Sequence, residues 1–143
     1  MTRSVYLIGS LRNPAVPELG RYLRDAGFDV FDDWYAAGEK ADDAWQAYEQ
    51  ARGRDYATAL QGYAANHVWS YDKQHLDRCD AAVLLTPAGK SGHLELGYMI
   101  GSGKPGFVLL GDNPARWDVM LRFASGVYTD RAELRRHLWE LLA

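Results

Sequence analysis

Asp80-Ala-Ala-Val-Leu-Leu-Thr-Pro-Ala-Gly-Lys-Ser-Gly-His-Leu-Glu95-Leu-Gly-Tyr-Met-Ile-Gly-Ser-Gly-Lys-Pro105 is the stretch that decides the fold. Its apolar run at 81–85 suits a strand buried on both faces, as in a parallel sheet. A short loop rich in Gly and Ser follows, then a helix from Gly92 to about Gly103. Pro105 separates that helix from a second apolar strand at 106–110. Strand, loop, helix and strand in this order make a parallel unit with a right-handed crossover. The loop Ala88-Gly-Lys-Ser-Gly92 then opens at the C-terminal end of a strand, where an open α/β sheet places its ligands. Glu95 is expected in the first turn of the helix, beside that loop.

The rest of the chain repeats the alternation. Val5-Tyr-Leu-Ile8 is another continuous apolar run and ends in Gly9-Ser10. Residues 15–26 place Leu19, Tyr22, Leu23 and Ala26 at helical spacing, and Gly27 stops the helix. Phe28–Phe31 is a second strand, with Asp32-Asp33-Trp34 at its end. Residues 41–64 read as one long or two shorter helices interrupted by Gly53 and Gly62, and a further helix at 70–79 leads into strand 81–85. A short helix near 115–123, a strand at 126–128 and an amphipathic helix at 131–142 close the chain. Leu134, Leu138, Leu141 and Leu142 give that last helix one apolar stripe. The pattern predicts an α/β fold: a single-domain, doubly wound, Rossmann- or flavodoxin-like sheet of five parallel strands in the order 2-1-3-4-5. The domain is taken as 1–143, with a helical insertion at about 36–69.

Bulk properties narrow the function. At 143 residues the chain is large enough for one real core. A net charge of −3 argues against a basic face for duplex nucleic acid. Cys79 is the single cysteine, which excludes an internal disulfide and a cysteine-rich zinc site. It is expected buried ahead of its strand. The four His are scattered without a metal-binding spacing, and no serine nucleophile elbow is present. No metal and no cofactor is expected. No apolar run approaches the ~20 residues of a membrane span, and no secretory segment opens the sequence. The cytoplasm is the expected location, with no membrane partner. Five Trp and nine Tyr exceed what a core of this size needs, so some should line a pocket or an interface.

Four groups of residues can carry chemistry. In Gly9-Ser10-Leu11-Arg12-Asn13, close backbone, a hydroxyl and a guanidinium suit an anion or a sugar, or else form a plain strand-to-helix turn with Arg12 solvated. Asp33 with Trp34 can hold a base by hydrogen bonding and stacking, or serve as a helix cap and a core aromatic. Asp72 reads from spacing alone as a helix-start residue, and Asp80 as a turn residue. Gly89, Lys90 and Ser91 form a donor-rich loop that can cradle a ribose or a phosphate, or simply cap the helix. Glu95 is either a capping-box glutamate or a fixed carboxylate, kept ionised at neutral pH by the helix dipole and able to attack a sugar carbon. Gly97, Gly101 and Gly103 are expected to let their helix lie close to the sheet.

Three blocks resemble the nucleoside 2-deoxyribosyltransferase superfamily, which includes the deoxynucleoside 5′-monophosphate N-hydrolases. They are Val5-Tyr-Leu-Ile-Gly-Ser-Leu-Arg12, the segment Asp72–Asp80, and Ser91-Gly-His-Leu-Glu-Leu-Gly-Tyr98 through Gly103-Lys-Pro105. The resemblance implies that Glu95 attacks C1′ of a deoxyribose and expels the base. It implies that Asp72, eight residues before Asp80, positions the substrate or protonates the leaving base. Gly9, Ser10 and Arg12 would contact a 5′-phosphate, and Tyr6 would border the sugar. The chain departs from the family at Gly89, where an acid or a serine often stands six residues before the nucleophile. Residues 36–69 are also longer and more aromatic than a minimal member has. The implied substrates are a small-molecule deoxynucleoside or deoxynucleotide and a free base, and the implied assembly is a homo-oligomer. A non-catalytic nucleotide-binding module and a hydrolase of another N-riboside such as NAD are the competing readings on the same scaffold.

Overall fold

The computed structural model describes residues 2–143. Five parallel strands pair in the order β2-β1-β3-β4-β5. They are β1 (Ser4–Ile8), β2 (Asp29–Phe31), β3 (Ala81–Leu85), β4 (Gly106–Leu109) and β5 (Gly126–Tyr128). The expected sheet and strand order are therefore those observed. β1 and β3 are buried along their whole length, as unbroken apolar runs require. Their starts are pinned together by Asp80, whose Oδ2 accepts from the Ser4 amide at 3.1 Å and the Ser4 hydroxyl at 2.9 Å.

Helices cover both faces. The helices α1 (Ala15–Asp25) and α6 (Arg131–Leu141) pack against Val5, Leu7, Val83 and Phe107. On the other face, α4 (Tyr63–Arg78) and α5 (Lys90–Gly101) cover Tyr6, Ile8, Leu84 and Val108. Two short helices, α2 (Ala41–Ala51) and α3 (Tyr56–Ala59), precede α4, and two 3-10 turns complete the chain at Asp33–Ala37 and Val119–Phe123. No helix among the described residues is long and apolar enough to cross a membrane.

Several boundaries differ from the sequence expectation. Gly53 ends α2 with a φ of +76°, and Gly62 separates α3 from α4, so both expected interruptions are observed. Gly62 is the extended N-cap of α4, which then runs unbroken from Tyr63 through the region expected to begin at 70. Asp72 thus lies mid-helix and caps nothing. The helix α5 starts at Lys90 with Gly89 as N-cap, not at Gly92. Gly92 is the close-approach glycine: a Cβ there would sit 3.1 Å from both Ile8 Cγ2 and Leu84 Cδ1. Gly97 and Gly101 face open space and bring nothing close to the sheet. The helix expected at 115–123 shrinks to the 3-10 turn at Val119–Phe123. Leu141 is half-exposed, so Leu134 and Leu138 carry the stripe of α6.

Candidate active site

Tyr6 leaves the middle of β1 toward α4 and α5. Its hydroxyl donates to Glu95 Oε2 at 2.7 Å. Glu95 is partly buried in the second turn of α5, because Gly89 rather than Gly92 caps that helix. The capping-box role is thereby excluded. Burial pushes the Glu95 carboxyl up to about 7; the Tyr6 hydrogen bond opposes this, and the nearby charge of Asp72 adds to it. The expectation of a glutamate held ionised by the helix dipole is corrected: the dipole acts within the first turn, and desolvation wins one turn further in. Burial also raises the Asp72 carboxyl. Burial first, then the charges of Glu95 and Asp72, drive the Tyr6 phenol far upward, so it remains a donor. Three titratable groups from β1, α4 and α5 thus act on one another.

The walls of this arrangement are firmly set. Phe31, at the end of β2, lies 5.1 Å from the Tyr6 ring and stacks on His75 of α4 at 3.9 Å and 8°. Burial, reinforced by Arg78, lowers the His75 pKa, and its Nδ1 accepts from Arg78 Nε at 2.7 Å. The far ends of α4 and α5 are stitched together. Tyr98 donates to Asp77 at 2.5 Å, and the Lys104 amine donates to the last carbonyls of α4, Leu76 at 3.1 Å and Asp77 at 2.5 Å. Gly103, with a φ of +85°, turns the chain so that Lys104 can reach them. The Gly-Lys-Pro block therefore has a structural task. It closes α5 and caps α4.

A separate cleft of about 410 Å³ opens where the strand order reverses. It is lined by Ser10, Arg12, Asn13, Pro14, Pro87, Ala88 and Gly89. The structure therefore brings Ser10, Arg12 and Gly89 together as sequence spacing suggested; Gly9 does not line the cleft, and a Cβ there would fall 2.7 Å from Val16 Cγ2 in the core. Lys90 and Ser91 are exposed in the first turn of α5 and do not line the cleft. Sequence reasoning missed the clamp at Thr86, just before the lining residue Pro87. Thr86 donates to Asp112 at 2.7 Å and accepts from the Gly111 amide at 3.0 Å. A Cβ at Gly111 would fall 2.3 Å from the Thr86 carbonyl, so only glycine fits there. No local pattern announces this contact, since its partners are far apart in sequence. A larger open cavity of about 800 Å³ beside α6, lined by Arg135, Arg136 and Trp139 among others, is remote from these residues.

Asp33 and Trp34 sit in the 3-10 turn after β2. The Trp34 indole donates to the Leu7 carbonyl at 2.8 Å and packs on both core layers, so its polar edge is already used. Asp33 is exposed, and its charge acts on His75. The neighbouring Asp32 is the buried one, paired with Arg24 at 2.5 Å. The carboxylate whose charge reaches Glu95 is Asp72.

Sheet order and site together define a doubly wound α/β protein with a tyrosine–carboxylate group between β1 and α5 and a separate polar cleft at its switch point. No protein-family model matches the chain, and no curated protein matches it in sequence. Solved structures do match its fold over almost its whole length. A conserved protein from Enterococcus faecalis superposes with a TM-score of 0.66 at 14% identity, covering 99% of each chain. A 2-deoxyribosyltransferase from Bacillus psychrosaccharolyticus gives a TM-score of 0.63 at 15% identity, covering 97% of this chain and 95% of its own. A CMP N-glycosidase from Clostridium botulinum gives 0.56 at 14% identity, covering 94% and 97%. The chain shares the fold of these proteins, which is the fold its sequence resemblance implied.

Proposed function

We propose that this protein cleaves the N-glycosidic bond of 2′-deoxynucleosides or their 5′-monophosphates, with Glu95 as nucleophile. The observation that carries this reading is the Tyr6–Glu95 hydrogen bond of 2.7 Å within reach of the Asp72 charge. The shared fold with a 2-deoxyribosyltransferase and a CMP N-glycosidase supports the same chemistry. In this mechanism Tyr6 holds one carboxylate oxygen, leaving the other to bond C1′. The C1′–N bond breaks, its electron pair goes to the base, and Asp72 supplies the proton. Water or a second base then attacks C1′ and releases Glu95.

Two neighbouring carboxyls titrate as a pair. The productive distribution puts the charge on Glu95 and the proton on Asp72. Substrate favours it, because the departing base accepts from Asp72 while C1′ gains positive character beside Glu95. The cleft at Ser10, Arg12 and Gly89 takes the 5′ end of the sugar, with Gly9 letting the chain that carries Ser10 pack against Val16 and Lys90 and Ser91 following Gly89 in the chain. Asp33, exposed and acting on His75, is assigned with Asp72 to the base, and Trp34 to packed support of the turn that carries it. No cofactor is needed for these steps. The exposed Tyr63, Trp69, Leu94 and Phe123 support a homo-oligomer in which a neighbouring copy covers them.

The test is chromatographic. The protein is incubated with the four deoxynucleosides and their monophosphates, with and without an acceptor base, beside Glu95→Gln. Exchange of bases establishes a transferase, and free base without exchange a hydrolase. A deoxyribosyl adduct on the Glu95 peptide establishes the intermediate. Equal activity in the Glu95→Gln protein would remove Glu95 from the chemistry. Binding without turnover would leave a nucleotide-binding module.

A further inference from the structure

Among the described residues, Arg12 is the one charged side chain lining the switch-point cleft, and it is already engaged. Its Nη2 lies 3.7 Å from Oδ2 of Asp43, with the two side chains 70% and 67% exposed. Asp43 belongs to the first turn of α2, outside the sheet and its covering helices. Among the described residues, this is the only ion pair that joins residues 36–62 to the rest of the protein. Only Glu49 of α2 is buried, and it pairs locally with Arg52 and Arg54. The helix touches the sheet layers sparsely. An element with so little apolar burial on the core is displaced at low cost.

We propose that Asp43 is a specificity-determining residue: an internal carboxylate that occupies the Arg12 guanidinium and must be displaced by the phosphate of a 5′-monophosphate. The identity of the substrate rests on the function proposed above; the competition for Arg12 holds for any phosphate. A phosphate offers the guanidinium fork more charge and more acceptor oxygens than a carboxylate does, so it can win the contact. A free nucleoside brings only a 5′-hydroxyl and leaves the Arg12–Asp43 pair intact. The protein thereby handicaps monophosphates relative to nucleosides. The handicap is modest, because exposed pairs are weak. Phosphate binding also frees the start of α2, coupling the added helices to the occupancy of the cleft.

Inorganic phosphate and 2-deoxyribose 5-phosphate are titrated into the full chain at low ionic strength, followed by calorimetry or amide chemical shifts. Asp43→Asn should tighten both by about two- to fivefold. Asp42→Asn, the same charge change one residue away, should do much less. Arg12→Gln should weaken binding and erase the effect of Asp43→Asn in the double variant. An equal gain from Asp42→Asn, a gain from Asp43→Asn that survives loss of Arg12, or no phosphate binding in any variant would each overturn the proposal. These readouts do not depend on turnover. A wild type that releases no base yet shows the expected binding pattern keeps the role of Asp43 and loses the glycosidase reading. A wild type that releases base without that pattern does the reverse.

Discussion

Val5 and Leu7 leave β1 on one side of the sheet, and Tyr6 and Ile8 leave it on the other. Toward α1 and α6 the layer closes on fully buried Leu134 and Leu138. Its margin is sealed by Phe28 edge-on to Trp139 at 5.4 Å and by Arg3 stacked 3.6 Å from the Trp139 ring. Toward α4 and α5 the same strand offers a phenol to a carboxyl, with a second carboxyl nearby. The outer surfaces of α4 and α5 leave Trp69 and Leu94 bare. Burying ionisable groups is costly. A sheet with one tightly packed face can tolerate that cost on the other.

The largest test of this contrast is Glu95→Gln, which should remove base release altogether while leaving the protein folded. Its stability should depend on pH in a definite way. The folded Glu95 carboxyl sits near 7, above the 4.5 of a free glutamate, so the folded state holds the proton more tightly. That contribution is complete at low pH and is lost as pH rises through about 7. Glu95→Gln should therefore gain stability over wild type with rising pH, on the order of 3 kcal/mol above neutrality, read from denaturant melts. A constant difference across pH would show that Glu95 is not desolvated. Next in size, Asp72→Asn should lower kcat by about 10²–10⁴-fold and flatten the alkaline limb of the pH profile.

Leu138→Ala probes the opposite face. It should cost about 2–5 kcal/mol of stability, while activity per folded molecule stays within about twofold. A matching loss of kcat would mean the two faces are coupled through the sheet. The smallest effect belongs to Tyr6→Phe. Losing a hydrogen bond to an ionised carboxylate should move the acid limb of kcat up by about one pH unit. Turnover near neutrality then falls by roughly fivefold relative to wild type, and the ratio to wild type recovers in alkaline buffer. A loss that no pH restores would give Tyr6 a larger part than tuning Glu95.

Much of this was legible in the sequence. The runs Val5–Ile8 and Ala81–Leu85 announce strands buried on both sides, and the alternation of strands and helices yields the sheet order. Ser10, Arg12 and Gly89 follow strand ends, so topology alone gathers them. The carboxyl environment was not legible. Whether Glu95 lies in the first or second turn depends on which glycine caps α5, and that is settled by Gly92 packing against Ile8 and Leu84. Asp72 looked like a helix start because the helix was expected only from about 70; the extended N-cap at Gly62 starts it at Tyr63 instead. The pairs Arg12–Asp43, Thr86–Asp112 and Lys104–Leu76 join residues distant in sequence, and no spacing rule encodes them.

The stitch of Tyr98 and Lys104 onto the end of α4 turns the two helices into a pair of tweezers joined at the base. Asp72 stands five residues above Asp77 on its arm, about 7.5 Å at the helical rise per residue. A tilt of about 10° at the joint would carry Asp72 sideways by about 1.3 Å, a misplacement large enough to cost about a hundredfold in rate. The lysine at the closed end thus sets the gap at the open end, and substitutions there should be felt at a bond Lys104 never touches.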